Sequence, residues 1–94
     1  MTASDLTLNI AVNLGRTSRW AMEGKENRIR QFLDETEKFV TELENAPKKK
    51  EFLHTFEKFK SDFVKLKNNI ALNADWAESM LTWANILTHR AKLA

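Results

Sequence analysis

The chain has no cysteine, a single proline and two glycines among its 94 residues. Without cysteine, disulfides, zinc-thiolate centres and thiol catalysis are excluded, and a reducing cytoplasm is the expected location. Gly15 and Gly24 stand alone, so there is neither a Gly-rich phosphate loop nor a nucleophile elbow. Charge of one sign is not in excess either. Fifteen Lys and Arg face thirteen Asp and Glu, a formal +2, too close to balance to call for a polyanionic partner. Long apolar runs are missing as well. The uncharged stretch Leu6 to Gly15 contains Asn9 and Asn13 and falls well short of the roughly 20 apolar residues of a membrane span. The N-terminus lacks the basic-then-apolar order of a signal peptide.

What the chain does have is enough bulk for one core. Apolar residues make up 43% of it, with six Phe and three Trp, and each buried Phe or Leu contributes roughly 1.5–3 kcal/mol. One helical domain over residues 1–94 is expected. A chain this short buries a modest share of its surface, and self-association is the usual remedy for the resulting marginal stability.

The helical periodicity is strongest after Pro47. Phe52, Phe56, Phe59, Phe63, Leu66 and Ile70 recur at alternating spacings of four and three, the core stripe of an amphipathic helix. Before Pro47, from about residue 22 to 44, Met22, Ile29, Phe32, Leu33, Phe39, Val40 and Leu43 form a broader stripe of the same kind. Asn45 and Ala46 suit the end of that helix, and Pro47 the first turn of the next. A further helix is expected over about 75–92, with Trp76, Ala77, Met80, Ala84, Leu87 and Ala91 on one face and Asn73 or Asp75 as its cap. The segment before Pro47 carries seven acids against four bases, and residues 48–70 carry seven lysines against three acids. Opposite signs on successive helices favour an antiparallel hairpin across Pro47.

The N-terminal stretch supports two readings. Leu6, Leu8, Ile10, Val12 and Leu14 alternate with polar or small residues, as in a half-buried strand. As a helix, the same residues put Leu6, Ile10 and Leu14 on one face and leave Leu8 and Val12 on another. A strand here has no partner within the chain and would pair with a second copy; a helix would leave an apolar face to cover. Both readings point to a homodimer, with Leu8, Val12 and Trp20 as candidate interface residues. Trp20 is out of phase with the stripe that begins at Met22 and belongs to the residue type enriched at interface centres.

Few residues suggest chemistry. Lys48, Lys49 and Lys50 are a candidate anion-binding run, set against mutual neutralisation with Glu42 and Glu44 across the turn. Lys60 and Lys67 fall on one flank of the Phe stripe and Lys58 and Lys65 on the other, so they do not form the continuous basic stripe of a groove-tracking helix. Glu51 and His54 have the Glu-x-x-His spacing of di-iron bundles, but His54 lies opposite the Phe stripe, facing water. His89 lies on the polar face of the last helix, and the two histidines, on different helices, show no sign of pairing. No cofactor, metal centre or catalytic constellation is expected. The fold expected is mainly α, a small antiparallel bundle of three to four helices, with residues 6–14 either a further helix or a strand paired across a dimer. The function expected is non-catalytic, through self-association or an unidentified protein partner. Two alternatives remain: a nucleic-acid-binding regulator using the lysine-rich helix or a paired N-terminal strand, and a metal-dependent bundle enzyme.

Overall fold

The alternating N-terminal segment is a helix. In the computed structural model, which describes residues 1–94, α1 spans Ala3–Met22 and opens with a reciprocal cap. The Thr2 hydroxyl accepts from the Asp5 backbone N–H at 3.1 Å, and the Asp5 carboxylate accepts from the Thr2 N–H at 3.3 Å. This is a capping box with Asp in place of Glu or Gln. There is no strand, so the paired-strand alternative is overturned.

The physical reason is the position of α1 in the bundle. Leu6, Ile10 and Leu14 are fully buried, and so are the intervening Thr7, Asn13, Thr17 and Ser18. Their hydroxyls find partners without a sheet: Thr7 Oγ1 donates to the Ala3 carbonyl at 2.7 Å, Thr17 Oγ1 to Leu14 at 2.8 Å, and Ser18 Oγ across to Ala77 at 2.7 Å. A helix covered on several sides can hold polar residues among its apolar ones where the helix itself or a neighbour satisfies them, as for these three hydroxyls; the Asn13 side-chain nitrogen has no partner.

After α1, Gly24 takes a left-handed φ of 72°, a conformation that glycine adopts without a Cβ penalty. The chain then reverses into α2, Glu26–Asn45. Met22, expected at the head of the second stripe, closes α1 instead and is exposed. Pro47 lies in the linker, not in the first turn of α3, which spans Lys50–Asn68. Residues 69–73 form a turn, and α4 spans Ala74–Arg90. Its cap is Asn73, whose side-chain oxygen accepts from the Trp76 N–H at 2.9 Å. A 3-10 turn, Ala91–Leu93, ends the chain's regular structure, and the Lys49 N–H donates to the Ala94 carbonyl at 3.1 Å.

The four helices alternate in direction around one core. α1 packs most closely on α4 and α2. Ala3, Thr7, Ala11 and Ser18 on α1 and Ala77 and Ala84 on α4, with Ala91 in the 3-10 turn after it, are small enough to let the backbones approach. α3 stands further off, held away by the buried rings of Phe52, Phe56, Phe59 and Phe63. Phe59 and Phe63 tilt against each other at 5.4 Å, and Phe59 meets Trp83 of α4 edge-on at 5.5 Å. The expected antiparallel hairpin of α2 and α3 is present, tied by their opposite charges. Lys60 reaches the Glu44 carboxylate at 2.8 Å and Glu57 at 3.1 Å, and Lys67 pairs with Asp34 and Glu37. The Glu44 contact is the main cause holding Lys60 above its ordinary value near 10.5. The chain thus forms a small four-helix bundle, and none of its helices is long and apolar enough to cross a membrane.

Candidate interaction surfaces

The outer face of α1 carries three of the exposed large apolar residues of the bundle. Leu8 is 42% exposed, Val12 52% and Met22 64%, and Leu81, on the neighbouring α4, is 48% exposed. At 100° per residue, Met22, Gly15, Leu8 and Val12 fall within about 80° of one another on the helix circumference. Exposed charges accompany this face: Asp5 and Arg16 border it beside Val12, and Arg19 lies on it between Gly15 and Met22.

Gly15 sits in the middle of this face in ordinary helical conformation, and a Cβ built on it would meet nothing within 4 Å. Neither backbone conformation nor packing within the chain requires glycine there. In a helix interior it costs roughly 0.8–1 kcal/mol relative to alanine.

Trp20, the third interface candidate, is in a different situation. Its ring meets Phe32 edge-on at 4.7 Å, the Arg28 guanidinium lies over it at 5.6 Å, and it is 8% exposed. It is out of phase with the α2 stripe because it belongs to α1, where it seals the α1–α2 seam. Of the three candidates, Leu8 and Val12 present free surface. Gly15, Met22 and Leu81 join them, and sequence reasoning missed all three. A helical wheel of residues 3–22 would have shown Gly15 and Met22; Leu81 required the α1–α4 contact.

The three lysines around Pro47 do not act together. The Lys48 ammonium donates to the carbonyls of Leu43 at 2.6 Å, Glu44 at 2.9 Å and Ala46 at 2.9 Å, and lies 5.2 Å from the Phe56 ring centroid. It caps the C-terminus of α2, where unpaired carbonyls and the helix dipole favour a cation. Lys48 and Lys49 both line a shallow cleft of about 510 Å³ at the start of α1, together with Lys92, and Lys50 lies outside that cleft. Glu44, expected to neutralise this run, pairs with Lys60 instead.

A larger groove, about 1100 Å³, runs between α3 and α4. Leu66, Trp83 and Ile86 supply its apolar lining, and the Trp83 indole N–H donates to Asp62 at 3.2 Å. Both histidines line it, His54 from α3 and His89 from α4. The sequence reading had them unrelated, whereas the fold sets them on facing walls. Nowhere do three His, Asp or Glu side chains converge as a metal site would need, and Glu51, the other half of the Glu-x-x-His pair, is exposed and outside the groove lining.

No known protein family, curated protein or solved structure matches this chain.

Proposed function

We propose that the protein is a non-catalytic, self-associating helical module, and that two copies meet through the outer faces of their α1 helices. The observation that carries this reading is the concentration of Leu8, Val12 and Met22 on one exposed face around Gly15, with Leu81 beside it. A second copy of the chain is the occupant that fits. If two α1 faces pair antiparallel about a twofold axis at Val12, Asp5 of one copy lies opposite Arg19 of the other, and Leu8 lies opposite Arg16, next to Gly15. A twofold interface must be complementary to itself in this way, and Gly15, three residues from the axis, puts no side chain between the two backbones.

Light scattering on a sizing column tests the reading. The expected result is a species of twice the 10.9 kDa chain mass that Val12→Asp converts to monomer with its helical circular dichroism intact. A wild-type chain that stays monomeric as its concentration is raised through the millimolar range would refute it, as would a dimer indifferent to Val12→Asp.

A further inference from the structure

The cations that face α2 from α3 and from the turn before it are paired. Lys60 and Lys67 bind carboxylates of α2, and Lys48 binds three backbone carbonyls. The α3–α4 groove breaks this pattern. Lys58, Lys65 and Arg90 line it together with His54 and His89, and none of the five makes an ion pair.

The two tryptophan bonds fix the register along the groove. Trp76 Nε1 donates to the Leu66 carbonyl at 3.0 Å and Trp83 Nε1 to Asp62 at 3.2 Å, so α3 and α4 run antiparallel with His54 level with His89 and Arg90. One turn further along, Lys58 stands near Ile86. The acids are elsewhere or engaged. Asp62 holds the indole of Trp83, and Asp75 and Glu78 lie in the first turns of α4 beside Lys65. Asp75 is about 21 Å along the helix axis from His89 at 1.5 Å per residue. Glu51, one turn before His54, does not line the groove, and the charge that follows Arg90 is another cation, Lys92. The groove is therefore basic at one end, with the apolar edges of Trp83 and Ile86 next to that end.

We propose that this basic end binds the phosphoryl group of a small organic phosphate, gripped by His54 and Lys58 from one wall and His89 and Arg90 from the other, with the body of the ligand over Trp83 and Ile86. Guanidinium groups match phosphate oxygens in pairs, and the bonds are charge-assisted. Thr55 and Asn85 add neutral hydrogen-bonding groups from the two walls. A groove of about 1100 Å³ has room for a nucleotide-sized molecule.

The test is an NMR titration of the intact protein with two probes, sulfate and adenosine monophosphate. The expected result is saturable shifts of the His54 and His89 ring signals and the Arg90 Nε signal. Adenosine monophosphate should bind several-fold more tightly than sulfate. Arg90→Gln, and separately the pair His54→Gln with His89→Gln, should each weaken binding about fivefold or more; these side chains are exposed, so the fold is retained. Lys49→Gln with Lys92→Gln should leave binding unchanged. Shifts centred on Thr2 to Ser4 and Lys49, affinity independent of Arg90, or equal affinity for the two probes would overturn the proposal.

Discussion

Replacing Gly15 by alanine should stabilise the monomer. Gly15 is helical, lies midway along α1, and leaves open space where a Cβ would go, so the substitution introduces no clash and removes no contact. What changes is the freedom of the unfolded chain and the shielding of the helix backbone, together roughly 0.8–1 kcal/mol in favour of alanine. For a domain of this size that corresponds to a rise in Tm of about 4–8 °C. The assay is urea unfolding followed by circular dichroism, at a protein concentration low enough for scattering to show monomer. An unchanged or lowered midpoint there would refute the argument, because it would mean that the glycine serves the single chain. Gly15→Gln separates the two roles. Its side chain also favours helix over glycine, so the dilute protein should again be more stable. The same side chain projects into the proposed interface, so dimer dissociation should become several-fold easier. A variant that gained monomer stability and dimerised as the wild type does would remove Gly15 from the interface.

Four further outcomes follow from particular contacts. Asn13 is buried with its side-chain nitrogen unpartnered; Asn13→Leu should raise unfolding free energy by about 1–3 kcal/mol, the cost of a buried unpaired donor, and a loss of stability would show that the amide has a partner. Phe56→Ala removes a fully buried ring from the α3 stripe and should cost about 3–5 kcal/mol in urea unfolding. Lys48→Met takes away the ammonium that binds three carbonyls at the end of α2 and should cost about 1 kcal/mol, whereas Lys50→Met, at an exposed position, should stay within about 0.5 kcal/mol of wild type. Because the Glu44 hydrogen bond raises the Lys60 pKa above its ordinary value, the folded state binds this proton more tightly than the unfolded chain does. Its contribution should be complete below about pH 10.4 and fade as pH rises through the raised value; Lys60→Met should flatten the stability profile above pH 10 and leave its slope near neutrality unchanged.

The parts of the fold that sequence determined are those where local pattern and packing face coincide. The Phe52–Phe63 stripe is buried as its spacing requires, Asn73 caps α4, and the opposite charges of residues 23–44 and 48–70 meet in an antiparallel hairpin. Each is set by periodicity or by a side chain bonding its own helix end, which are properties of a short stretch of chain. The N-terminal segment lay beyond that reach. Its alternation suits a strand, and the local signal against one, the Thr2–Asp5 cap, occupies a single turn. Contact with α2 and α4 settled it by burying Thr7, Asn13, Thr17 and Ser18 alongside the leucines. The same limit governs the surfaces. Periodicity assigns His54 and His89 to the polar faces of their own helices, but which neighbour those faces adjoin depends on how the helices are arranged, and both line one groove. Lys48 reads as part of a basic run until the turn at Pro47 brings the carbonyl end of α2 within its reach. Sequence acts locally through spacing and capping, while the choice of neighbours for each face follows from which helices can approach closely, here the small residues of α1 and α4 against the large rings of α3.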